Sequence, residues 1–407
     1  MTALPRGFFG DGDAKELAPG TIFLPSFANA AALITPEGVL LVDCGHEMFG
    51  ARILASLREH TDAPVHTIVL THGHVDHAFG VRAFDEEARE RGRERPRRVG
   101  HHLVPSRFRR YEKMRGHNEH INQVQFGVPA RFPEEYPALD VTYDEHLELT
   151  IGGERFELYH GRGETDDATW VWAPSRGVVC AGDFFIGCSP NCGNPQKVQR
   201  YPDEWAEVLR AMASKHPRVL CPGHGPAIVG ETAVRAALTE TAEYLQALVD
   251  ETLARMNRGE RGAQIIHEVK PPAHLEGRPY LEPLYDRPEF IVRNLLRLHG
   301  GWWNGNPAEL LPAREDATAR EIAELAGGTA ALVKRGRALA SSDLALACHL
   351  AEWAALAAPD DRAALELKRD VFTARAAEET SLMARNIFAR AAREAEEALA
   401  RATSSEG

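Results

Sequence analysis

Cysteine, methionine and aromatic residues are scarce in this chain, with six Cys, six Met and 7% Phe, Trp and Tyr among 407 residues. The cysteines (Cys44, Cys180, Cys188, Cys192, Cys221 and Cys348) follow no pairing pattern. That excludes a disulfide-built secreted scaffold and points to reduced, mostly packed thiols. Apolar runs of bilayer length are also missing, which excludes a membrane-spanning helix. The opening "MTALPRGFFGDGDAKELAPG" has one early arginine and no apolar core of signal-peptide length, so the expected location is cytoplasmic. Positive charge is in deficit, 47 Lys and Arg against 59 Asp and Glu for a formal charge of −12. Broad nucleic-acid binding is thereby disfavoured, while a local basic pocket for a small anion stays open.

The length suits two domains better than one. From about residue 20 to 230, β-rich runs ("TIFLP", "AALITPEGVLLVDCG", "HTIVLTHG", "ERFELYHG", "TWVWAP", "GVVCAGDFF", "RVLCPGHG") alternate with turns and with helical patterns such as "MFGARILASLREH" and "DEWAEVLRAMASKH". Interleaved strands and helices predict a layered α/β domain. After about 230 the texture is Ala, Leu, Glu and Arg at helical spacing, broken by "GGWWNGNPAELLPA" at 300–313. The expected division is 1–232 for the α/β domain and 233–407 for an all-α domain, with no fixed-period repeat. The mixed-sign run 86–98 reads as a solvated helix face plus loop.

Chemistry concentrates in "THGHVDHAFG" at 71–80, which follows an apolar strand. His72 and His74, two apart on an extended segment, face one side and can close on one ion, while Asp76 and His77 reach a second. Imidazole and carboxylate favour zinc-like, iron-like or manganese-like ions without any cysteine. A pair of ions needs further ligands and, ideally, one carboxylate shared between them. Three strand ends offer these: "CAGDFF" with Asp183, "CPGHGP" with His224, and "YHGRGETDD" with His160, Glu164, Asp166 and Asp167. Asp43, closing "LLV", is placed to orient the metal loop by hydrogen bonds.

The pattern HxHxDH, a later strand-end "GD" and a last "GH" resembles the metallo-β-lactamase superfamily over roughly residues 15 to 230. Ordinary members carry a histidine ligand nineteen positions before the shared aspartate; here that position is Glu164, the substitution of the alkyl sulfatase branch. "GGWWNGNPAEL" is similar to the "GWxxGNPxxL" element of that branch's helical dimerisation domain. The resemblance implies an αββα sandwich followed by an all-helical domain, and a homodimer. It also implies a first metal on His72, His74 and Glu164, a second on Asp76, His77 and His224, and Asp183 bridging, with Asp76 and Asp183 at the heart of catalysis and His160 behind the ligands. Two divalent ions, expected as Zn2+, would share and activate a water.

In the branch's best-known members the bridging acid is glutamate and a sterol-carrier-like domain follows. This chain has Asp183 and stops at Gly407, which points away from a long-chain alkyl sulfate. The expected substrate is an alkyl or aryl sulfate ester, or a related small anionic ester, clamped by Asn191, Lys197 and Arg200. Arg109, Arg110, Tyr111, His117 and His120 lie on a segment where a general acid could sit, although exposed residues of these types usually carry no catalytic duty. Trp302 and Trp303 are expected to pack in a core or interface. The alternatives are hydrolysis of a lactone, thioester, amide or phosphodiester on the same fold, iron redox chemistry on the same ligands, and a non-catalytic metal-binding scaffold.

Overall fold

The computed structural model describes residues 12–404, and the reading of the N-terminal segment as lacking an export signal falls largely outside them. Seven strands form one sheet in sequence order: β1 (Lys15–Ala18), β2 (Thr21–Leu24), β3 (Ala30–Thr35), β4 (Gly38–Val42), β5 (Val65–Val69), β6 (Arg97–His101) and β7 (Val141–Tyr143). Six form a second: β8 (His146–Ile151), β9 (Glu154–Gly161), β10 (Ala168–Ala173), β11 (Val178–Gly182), β12 (Val219–Pro222) and β13 (Ile228–Val229). The first sheet is antiparallel from β1 to β4 and parallel from β4 to β7. In the second, β11 and β12 are the parallel pair.

Apolar residues on both faces of the central strands dictate the layers, because successive strand side chains point to opposite faces. Leu40 and Val42 enter a core with Val69, Leu158, Val171, Cys180 and Val219, which both sheets share. Their neighbours Val39 and Leu41 pack instead with Ile68, Leu70, Ile53, Leu57 and Phe84, under the helices Gly50–Arg58 and Val81–Glu90. On the second sheet, Trp170, Trp172, Val179 and Ala181 face the helices Pro202–Ser214 and Glu231–Asn257 through Trp205, Leu209, Leu238 and Leu245. The result is the expected αββα sandwich.

By packing, the chain falls into two compact units: one built on residues up to Glu119 and on Arg131–Gly301, the other on His120–Ala130 and Trp302–Gly407. The change of texture at 232 coincides with the helix starting at Glu231, yet that helix completes the outer core of the second sheet. In the second unit, helices Glu315–Leu325, Thr329–Leu339, Leu344–Ala357, Arg362–Glu378 and Leu382–Ser404 follow one another. Its core is rich in alanine (Ala347, Ala351, Ala354, Ala364) beside Leu332, Val333, Leu367 and Val371. Small side chains let helices approach closely, and Asp343 and Asp361 cap two of them by accepting the backbone N–H of Leu346 and Ala364.

Trp302 and Trp303 are 73% and 45% exposed, which removes the core alternative of the expected core or interface packing and leaves the interface one. All six cysteines are unpaired and five are buried, in line with the reading of the composition. No helix among the described residues is long and apolar enough to cross a membrane.

Candidate metal centre

The four chain segments predicted to carry ligands end at one edge of the sandwich. β5 leads into an extended stretch through His74, which then starts the single helical turn Val75–Ala78. The extended part presents His72 and His74, and the turn presents Asp76 and His77. From the second sheet come Glu164 after β9, Asp183 after β11 and His224 after β12.

Among the described residues, three of the four groups whose ligand atoms lie within 4.8 Å of one another are drawn from these segments: His72, His77 and Asp183; His74, Glu164 and Asp183; and Asp76, His77 and His224; the fourth is His101, His102 and Asp144. Asp183 belongs to two of them. Its Oδ1 lies 3.1 Å from His77 Nε2 and 3.5 Å from His224 Nε2, and its Oδ2 lies 3.5 Å from His72 Nε2. His72 Nε2 meets His74 Nδ1 at 2.8 Å, and His77 Nε2 meets His224 Nε2 at 3.3 Å. Ring nitrogens converging in this way on a buried carboxylate oxygen that makes no hydrogen bond of its own suit a cation. The donor set is imidazole and carboxylate throughout, so the residues fit divalent ions of the zinc, iron or manganese type.

The surrounding shell fixes these groups. Asp43 adopts φ 58°, a left-handed conformation uncommon outside glycine. In it, Oδ1 accepts the Thr71 backbone N–H at 2.8 Å, while Oδ2 takes the Thr71 hydroxyl at 2.8 Å and His77 Nδ1 at 2.8 Å. Occupying Nδ1 turns His77 Nε2 toward the cluster, the role expected of Asp43. Replacing Asp43 by Ala removes all three contacts, and metal affinity is expected to fall about 10- to 100-fold, as read by competition with a chelator. Gly223 is required sterically: a Cβ there would lie 2.2 Å from Asp183 Oδ1.

Arg107 was not singled out from the sequence. It is buried, donates to Asp167 at 2.8 and 2.9 Å and pairs with Asp166, while Asp167 accepts the Gly73 N–H between the two histidines at 3.0 Å. Asp166 and Asp167 therefore serve the guanidinium. No spacing signal marks Arg107, because its partners lie 59 and 60 residues away.

His160 lies outside the ligand groups; its Nε2 bonds the Asp166 carbonyl at 3.0 Å and its ring stacks on His101 at 3.8 Å. Asn191 donates to Glu164 Oε1 at 2.6 Å, and Arg200 Nη1 reaches the same oxygen at 2.5 Å. Two of the three residues expected to clamp substrate thus meet Glu164, a candidate ligand. Lys197 is half-buried, and burial with the neighbouring Arg200 pushes its pKa down to about 8. Of the general-acid candidates, Arg109, His117 and His120 are exposed, Arg110 lies over the Tyr111 ring, and Tyr111 is buried against Phe132.

Burial, reinforced by neighbouring imidazoles, pushes His72 down to about 4 and His74 well below its ordinary value. Burial opposes charge at His77 and His224 too, but there Asp183 and Asp76, joined at His77 by Asp43, outweigh it and raise both pKa values. Burial raises Glu164 to about 8 against the pull of Arg200. The raised pKa values of His77 and His224 set protons in competition with a cation at these rings. Affinity is therefore expected to fall as pH drops and each bound cation to release protons, which calorimetry in buffers of different ionisation enthalpy would measure.

Residues 24–224 match the metallo-β-lactamase superfamily, and residues 261–398 match alkyl sulfatase dimerisation. The chain is 26% identical over 359 residues to a linear primary-alkylsulfatase of Pseudomonas sp., covering 83% of this chain and 68% of that protein. It is 24% identical over 393 residues to an (R)-specific secondary-alkylsulfatase of Pseudomonas sp., covering 89% of this chain and 59% of that one. The solved structure of the stereoselective inverting sec-alkylsulfatase Pisa1 from Pseudomonas sp. has a TM-score of 0.85 at 21% identity, covering 95% of this chain and 66% of that one. With its β-rich domain matching one family and its helical region the other, the chain is an alkyl sulfatase-like protein of the metallo-β-lactamase fold.

Proposed function

We propose that the protein is a binuclear, zinc-dependent hydrolase of alkyl or aryl sulfate esters. The observation that carries this reading is the convergence of seven ligand side chains with Asp183 common to two donor groups. The similarity to alkyl sulfatases supplies the substrate class. His72, His74 and Glu164 would hold one ion, and Asp76, His77 and His224 the other, with Asp183 between them. Two cations held there would supply Lewis-acid charge and lower the pKa of a shared water.

The protein's own part is positioning. Asp43 fixes the His77 ring, Arg107 and Asp167 fix the backbone at Gly73, and the strand ends hold the ligands before substrate arrives. Lys197, whose charge is felt by Glu164 and Asp76, is assigned to the anionic group of the ester. The test is sulfate release from a panel of short alkyl and aryl sulfates by the zinc-loaded protein, with His72→Ala as the blank. Hydrolysis of another ester class with no sulfate released would overturn the substrate assignment.

The same reading includes a homodimer, supported by the match over residues 261–398 and by exposed apolar residues in the second unit, Trp302, Leu311 and Leu325 among them. Light scattering at micromolar concentration is expected to give twice the chain mass of 44.9 kDa. A strict monomer would remove this part of the proposal. Cytoplasmic residence also belongs to it, supported by the six unpaired thiols.

A further inference from the structure

We infer that the segment from Asp286 to Asn294 is a positioning element for Glu164, acting through Asn191 and Arg200; this rests on the metal-centre reading above. The two donors on Glu164 Oε1 come from one loop, and Arg200 also bonds the Asn191 carbonyl, so the three groups form a closed buried triangle. That loop is held at two points by residues about a hundred positions downstream.

The first point is Gly193. Its N–H donates to Asp286 Oδ2, while Asp286 Oδ1 accepts the Arg287 N–H at 2.7 Å. A Cβ on Gly193 would lie 2.1 Å from the Phe290 carbonyl carbon and 2.2 Å from Ile291 N, so the loop backbone rests directly on the first turn of the helix Pro288–Gly300. Only glycine permits that approach. The carboxylate is fully buried, and burial raises its pKa to about 7 against these N–H groups.

The second point is Arg200. Asn294, on the same helix, donates to the Arg200 carbonyl at 2.9 Å, and its Oδ1 accepts Gln199 Nε2 at 2.8 Å and the Arg200 N–H at 3.4 Å. With its backbone gripped and its Nη1 bonded to both Glu164 and the Asn191 carbonyl, Arg200 acts on Glu164. A carboxylate ligand approached by two fixed donors has one orientation, and outer partners of this kind typically change metal affinity 10- to 100-fold.

The experiment is stepwise Co2+ titration of the chelator-stripped full chain against a competing chelator, comparing wild type with Asn294→Ala and the milder Asp286→Asn. Asn294 and Asp286 lie in none of the ligand groups, so a purely structural role would weaken both ions together or only lower the melting temperature. The expected result is a 10- to 100-fold loss at one of the two ions with the other unchanged, smaller in Asp286→Asn than in Asn294→Ala. Equal weakening of both ions, or of neither, in both variants overturns the inference while leaving the binuclear reading intact. Wild type binding fewer than two ions overturns the reading itself, and the inference with it.

Discussion

Asp183→Asn is expected to lower sulfate ester turnover about 1000-fold or more, equivalent to some 4 kcal/mol of transition-state stabilisation, and to leave fewer than two tightly bound ions per chain. Asparagine preserves the size of the side chain but not its charge. In the native chain burial would raise the Asp183 pKa, but His77, His224 and His72 outweigh it and hold the carboxyl well below the ordinary range. Removing that charge leaves three converging imidazoles with no shared anion, and on the proposed binuclear reading two cations held there would repel each other across a neutral amide. Metal analysis alongside sulfate release checks the prediction, with near-ultraviolet circular dichroism to show that the fold survives. Retention of two ions and activity within tenfold of wild type would remove Asp183 from the bridging position.

Trp205→Ala is expected to destabilise the first unit by about 3–5 kcal/mol, the range for truncating a fully buried aromatic. Trp205 has no exposed surface and sits on the helix Pro202–Ser214, with its Nε1 donating to the Phe184 carbonyl at 2.9 Å. The Phe184 ring meets the indole edge-on at 6.1 Å, and Gly163 lies against both rings. The indole thus packs against the residue after Asp183 and the residue before Glu164. Its loss opens a cavity, strands a buried carbonyl and loosens two ligands together. Urea unfolding measures the stability change. Trp205→Phe, which fills much of the volume, is expected to lose less than Trp205→Ala, and equal losses would assign the effect to the hydrogen bond instead of the packing.

The strand cores were legible because buried strands on two-sided sheets are near-continuous apolar runs, as in "GVLLV" and "TWVWA". β6 and β8 were not, because "RRVGH" begins with two arginines and "HLELTI" alternates exposed and half-buried positions. The limits of the two units were equally hidden: composition changes where the helix Glu231–Asn257 begins, but that helix covers a sheet whose strands precede it. Trp302 and Trp303 fit a core or an interface equally by type, and only their exposure removes the core.

By itself, the sequence determined the candidate donor types, their close spacing in residues 72–77 and the strand-end acids and histidine at 164, 183 and 224, because these are local patterns of residue type. Tertiary structure alone decided what holds the ligands. Asp43 against His77, Arg107 against Asp167, and Asn294 behind Arg200 are separated by 34, 60 and 94 residues. The physical reason is that a buried charge or amide is fixed by whichever distant backbone the fold brings within hydrogen-bonding reach, and no periodicity along the chain encodes that meeting.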